Sequence, residues 1–84
     1  MLKIVTTEKV GRTVLELEGQ IRGPWIDELA RTIGRRGSDG ALALDLARVT
    51  FIERRGVELL RGLGSDGVAL LNCTPFVAEQ LRAS

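Results

Sequence analysis

Eighty-four residues allow one domain and one hydrophobic core. Twelve Lys+Arg against eleven Asp+Glu leave a net charge of +1, which argues against a domain that grips a phosphate backbone through a strong basic excess. With no histidine and a single cysteine, Cys73, the chain lacks the parts for Ser-His, Cys-His or His-ligated metal chemistry, and for an internal disulfide.

Residues 2–6 read as a first strand, joined through Lys9-Val10-Gly11 to a second. In that second strand Thr13, Leu15 and Leu17 alternate with Val14, Glu16 and Glu18, the pattern of one buried face. Pro24 suits the first turn of a helix that carries Trp25/Ile26, Leu29/Ala30 and Ile33 inward, with Gly34 and Gly37 as stops. Residues 41–46 are apolar except Asp45, which predicts a central parallel strand covered on both faces. Val57, Leu59, Leu60 and Leu63 predict a second helix that ends at Gly62 and Gly64. Residues 68–72 repeat the buried strand, and Thr74-Pro75 opens a third helix with Phe76, Val77 and Leu81 inward.

The predicted order is β-β-α-β-α-β-α. Strand–helix–strand alternation implies parallel strands with right-handed crossovers, after an antiparallel hairpin at one side. In open α/β sheets, function gathers at the carboxyl ends of the strands. Those ends are Gly19–Arg22, Arg48–Gly56 and Asn72–Thr74.

Several stretches have both a structural and a functional meaning. Gly62-Leu63-Gly64-Ser65-Asp66-Gly67 matches GxGxxG but follows a helix and opens a strand, the reverse of a dinucleotide site, so it reads as a turn. An echo links Gly37–Leu44 with Gly64–Leu71; each copy reads as the connection from a helix into a strand. Asp45 is expected to accept backbone N–H groups from the 50–56 loop, because a buried carboxylate needs such partners. Arg35-Arg36 suits the negative end of a helix. Trp25 reads as partly core and Cys73 as a small packed hydrophobe. Glu53-Arg54-Arg55-Gly56 is the odd stretch, because cations are disfavoured at a helix N-terminus by about 0.3–1 kcal/mol each. Arg54 can pair with Glu58 one turn on, and arginines there can also face a partner.

Residues 45–56, Asp45-Leu46-Ala47-Arg48-Val49-Thr50-Phe51-Ile52-Glu53-Arg54-Arg55-Gly56, resemble the central signature of STAS domains, the family of bacterial anti-sigma factor antagonists. That signature reads approximately D-L-x-x-V-x-F-I-D-S-S-G ahead of an apolar helix. Leu15–Gly19 is similar to the family's strand before its first helix, and Asp66–Leu81 to its closing strand–helix segment. The resemblance implies a small STAS-like sandwich over residues 1–84, with a mixed, mostly parallel four-stranded sheet and about three helices. In the antagonists the second serine of the signature is phosphorylated by a partner kinase that is also the anti-sigma factor. Here Glu53 stands for the aspartate, Arg54 for the first serine and Arg55 for the phosphoacceptor. Arginine cannot accept a phosphoryl group, so the resemblance implies the fold and a protein-binding surface without that switch.

The expected partner-binding surface comprises Gly19, Gln20, Arg22, Glu53, Arg54, Arg55, Gly56, Glu58, Asn72 and Thr74. The expected function is a non-enzymatic, cytoplasmic, regulatory protein-binding module with no cofactor, no metal and no nucleic-acid partner. The alternative is a structural subunit that resembles the small STAS proteins seated on the ATPase of a bacterial lipid-trafficking transporter. Self-association through an exposed sheet edge stays open as well. The first residues, Met1–Val5, lack the long apolar run of a signal peptide, and no stretch approaches the roughly 20 apolar residues of a membrane span.

Overall fold

The computed structural model describes residues 1–36 and 41–83. Val10 and Gly11 turn the chain between β1 (Leu2–Lys9) and β2 (Arg12–Ile21), with Gly11 at φ +81°. The two strands pair antiparallel without a break in register, from Leu2 opposite Gly19 to Lys9 opposite Arg12. Helix α1 (Pro24–Arg36) then returns the chain to β3 (Ala41–Ile52), which pairs parallel to β2. Helix α2 (Arg54–Ser65) leads to β4 (Ala69–Leu71), parallel to β3, and α3 (Pro75–Ala83) follows. The strand order is β1-β2-β3-β4, a four-stranded mixed sheet with three helices, in the element order predicted from sequence.

Alternation decides which face of the sheet is covered. Leu15 and Leu17 of β2 and Leu44 and Leu46 of β3 point to one side and are fully buried with Leu29 of α1, Leu60 of α2 and Val77 of α3. The crossovers therefore place their helices on one face, and the molecule has two layers. The expectation that β3 is covered on both faces is not met. Its other face presents Ala43 and Asp45 beside Val14 and Glu16 of β2, and this side of the sheet carries no helix from the core cluster. Ala43 and Val14 are nonetheless buried on that face, Asp45 is half-buried, and Glu16 meets water.

Element boundaries differ from the sequence reading for physical reasons. Helix α1 passes through Gly34 and α2 through Gly62 and Gly64. A glycine costs a helix about 1 kcal/mol, less than the burial of Ile33, Leu60 and Leu63 around these glycines returns. Gly37, with the rest of the first echo segment up to Gly40, lies outside the described residues. Helix α2 ends at Ser65, capped by Asp66, and Gly67 follows at φ +95°, the left-handed conformation that ends helices. Strand β4 is three residues long and partly exposed, an edge rather than a second buried strand. Phe76 is 54% exposed, so only Val77 and Leu81 of the expected inward set reach the core.

Strand β3 outruns β4, which ends opposite Asp45, well before Ile52. The end of β3 would then have unpaired backbone groups on that side. Helix α3 meets this need through one side chain: the Ile52 N–H donates to Gln80 Oε1 at 3.2 Å, and Gln80 Nε2 donates to the Ile52 carbonyl at 2.9 Å. A glutamine side chain thus does what a longer β4 backbone would have done. Gln80→Ala leaves the amide and carbonyl of a buried residue unpaired, at a cost of about 1–3 kcal/mol. Urea denaturation should show that loss, and an unchanged midpoint would contradict the role given to Gln80.

Candidate functional site

The rim at the carboxyl ends of β2 and β3 is built by close backbone packing. Gly56 lies in the first turn of α2, and a Cβ there would stand 2.9 Å from Ile21 Cγ2 and 3.0 Å from Ile52 Cγ2. The helix therefore sits directly on the two strand ends. The Glu53 N–H donates to the Ile21 carbonyl at 2.8 Å, and the Val57 N–H donates to the Glu53 carbonyl at 3.0 Å. Glu53 is the N-cap residue of α2, yet its side chain does not cap its own helix. Its Oε1 accepts the Gly23 N–H at 3.3 Å, in the turn that precedes α1. An aspartate or serine would cap α2 but is too short for that reach. Glutamate at this position ties two rim turns together.

Gly19 has φ +112°, and a Cβ on it would overlap the Met1 carbonyl oxygen. That carbonyl accepts the Gln20 N–H at 3.2 Å. Two register shifts in the β2–β3 pairing, at Glu16/Glu18 and at Gly19/Gln20, let β3 continue as strand to Ile52 while Val49 and Ile52 still point into the core. The expected loop over residues 50–56 is thus strand to Ile52 and helix from Arg54, with only Glu53 between them. Asp45 lies at the first shift, and its Oδ1 accepts the Ala47 N–H at 3.0 Å, not an amide of residues 50–56. Thr50 donates its hydroxyl to the Gly19 carbonyl at 3.2 Å and holds the second shift.

Arg54 and Arg55 both project from the first turn of α2 into solvent. Arg55 Nη2 meets Asp27 Oδ1 at 3.1 Å, an ion pair across to α1 with both side chains about 60% exposed. An exposed pair of this kind contributes about 0.2–1 kcal/mol. Arg54 has no ion-pair partner among the described residues, so the expected contact with Glu58 does not form. Near the end of β3, Phe51, opposite Gln20 in the register, is 38% exposed.

The structure brings Gly19, Gln20, Arg22, Glu53, Arg54, Arg55 and Gly56 to one rim, with Glu58 one turn along α2. Asn72 and Thr74 sit apart from it, because β4 ends far short of the end of β3. They have local duties. Asn72 takes the left-handed conformation at φ 56°, and Thr74 Oγ1 accepts the Val77 N–H at 3.2 Å as the cap of α3. Asp27 and Phe51 belong to the rim without a sequence signal that marks them. An acid in the first turn of a helix reads as a favourable dipole contact, and a phenylalanine in an apolar run reads as core.

No group of three His, Cys, Asp or Glu is arranged to hold a metal ion among the described residues. None of the described helices is long and apolar enough to cross a membrane. The sequence matches no protein-family model and no curated protein.

Two glycines of the same helix test the seating of α2. Gly56→Ala should destabilise the fold by about 1–3 kcal/mol through overpacking. Gly62→Ala has open space at its Cβ and should stabilise it by about 0.5–1 kcal/mol. Thermal melts of the two variants should move in opposite directions, and a shared direction would contradict the packing described for Gly56.

Proposed function

We propose that this chain is a STAS-like regulatory module that binds another protein through the rim at Gln20, Phe51, Arg54 and Arg55, without a phosphorylation switch. One observation carries this reading. Two adjacent arginines are held in solvent at the positive end of α2, where they oppose the helix dipole, and only Arg55 is paired. The fold gains little from them there. A partially exposed phenylalanine, Phe51, lies near the end of β3, three residues before Arg54, and aromatic residues and arginine are the types enriched at protein interfaces. An acidic patch on the partner would gain association rate and orientation from the arginines more than affinity.

The resemblance of residues 45–56 to the STAS signature adds the kind of partner: a kinase-like anti-sigma factor. With Arg55 at the phosphoacceptor position, binding is constitutive rather than switched at that position. The rim presents no histidine or metal cluster for catalysis, and the reading is of a non-enzymatic module.

The test is affinity capture with the wild-type chain and with the Arg54→Glu/Arg55→Glu variant. Acidic residues suit a helix N-terminus, so the variant should keep its fold. The expected result is an anti-sigma-type kinase bound by the wild type and lost from the variant. Equal capture by both would remove the rim from the account. A transporter ATPase in place of the kinase would redirect the reading to an assembly subunit. Incubation with the captured kinase and ATP should leave residues 53–56 unmodified, and phosphate there would contradict the absence of a switch.

A further inference from the structure

The outer edge of β1 is the longer of the sheet's two open edges, and its charged residues, Lys3, Glu8 and Lys9, lie toward its two ends. β4, the other edge, is short, whereas β1 has eight residues, no proline and no bulge. Its sequence, Leu-Lys-Ile-Val-Thr-Thr-Glu-Lys, is rich in β-branched residues, and Val5 is 40% exposed. Edges of this kind pair with further strands unless something blunts them. Among the described residues β1 has extensive backbone contact with β2 alone, while Leu2 and Ile4 reach the core cluster on the helix side.

Which backbone groups face outward follows from one bond. The Gln20 N–H donates to the Met1 carbonyl, and Leu2 stands opposite Gly19. Residues that bond to the partner strand alternate along an antiparallel ladder. Odd-numbered residues of β1 therefore bond to β2, and Leu2, Ile4 and Thr6 direct their N–H and C=O groups away from it.

We propose that a second copy of this chain pairs with that edge about a two-fold axis through Val5, to form a continuous eight-stranded sheet. Every two-fold axis through a single residue keeps like faces together, and those at Ile4, Val5 and Thr6 lie nearest the middle of the strand. An axis at Val5 sets Val5 against Val5 of the other copy, Ile4 against Thr6, and Lys3 against Thr7. An axis at Thr6 sets Lys3 against Lys9 twice, and like charges directly opposite each other are destabilising. An axis at Ile4 shortens the overlap and leaves Val5 facing lysine instead of another valine. The Val5 register covers the exposed valine, opposes no like charges and forms backbone bonds on both sides of the axis. Both helix layers then lie on the same face of the joined sheet, away from the new seam.

Site-directed crosslinking tests the register. Residues opposite each other without shared backbone bonds have Cα atoms about 4.5 Å apart, within the span of a disulfide. Val5→Cys in a Cys73→Ser background should thus form a disulfide-linked dimer on mild oxidation. Ile4→Cys and Thr6→Cys are offset from their own copies by about 8–9 Å, too far to bridge. Light scattering of the unmodified chain should give twice the 9.1 kDa mass of one copy. Val5→Lys, which lies beside Glu16 in register and so suits the monomer, should weaken dimerisation at least about tenfold with an unchanged melting temperature. A monomeric mass with no crosslink at position 5 would overturn the interface, and so would a strand from a different protein occupying the edge. Crosslinking at position 4 or 6 in place of 5 would overturn the register.

Discussion

The seating of α2 on the ends of β2 and β3 determines the geometry of everything around the rim. Gly56 lets the helix approach until Ile21 and Ile52 touch its backbone. That approach allows the Glu53 amide to bond to the Ile21 carbonyl, and so continues the parallel ladder into the first residue beyond β3. It also brings Glu53 within reach of the Gly23 amide and Arg55 within reach of Asp27. A side chain at position 56 would lift the helix and loosen all three contacts together. The direction in which Arg54 and Arg55 point is a consequence of a missing methyl group.

The sheet is uneven, and the rest of the packing compensates for it. Strand β3 has twelve residues and its outer neighbour β4 has three. Helix α3 fills the gap, with Val77 in the core and Gln80 bonded to both backbone groups of Ile52. The far end of β3 is therefore held from two sides, by α2 through Gly56 and by α3 through Gln80. A rigid strand end is a sound base for a binding surface, because side chains fixed on a firm backbone lose little freedom when a partner docks.

Much of the fold was legible because two periods alternate along the chain. Leu15 and Leu17 mark a half-buried strand, and Ile26, Leu29 and Ile33 mark a helix, so the order of elements could be read directly. What escaped notice depends on tertiary contacts. The bulges of β3 shift its inward residues from Leu44 and Leu46 to Val49 and Ile52, which breaks the period of two and made a strand look like a loop. Gly34, Gly62 and Gly64 read as stops because local propensity disfavours glycine in a helix, and the apolar face beside them overrides it. Gln80 carries no sequence signal, since a glutamine on a helix ordinarily meets water. Of the rim, Arg54, Arg55 and Gly56 stood out by chemistry or by resemblance. Asp27 did not, because its partner lies on another helix. Asn72 and Thr74 follow a strand that ends opposite Asp45, so the carboxyl ends of the strands do not lie level.

The rim and the β1 edge are two separate surfaces. They differ in chemistry: cationic side chains at the first turn of α2, and bare backbone with β-branched residues at the edge. Hydrogen–deuterium exchange of the chain with its captured protein partner, compared with the chain alone, tests the central claim most directly. The account predicts slowed exchange in residues 19–22 and 51–58, with Asn72–Thr74 little changed. Protection confined to the helix-free face of the sheet, with none at the first turn of α2, would contradict it.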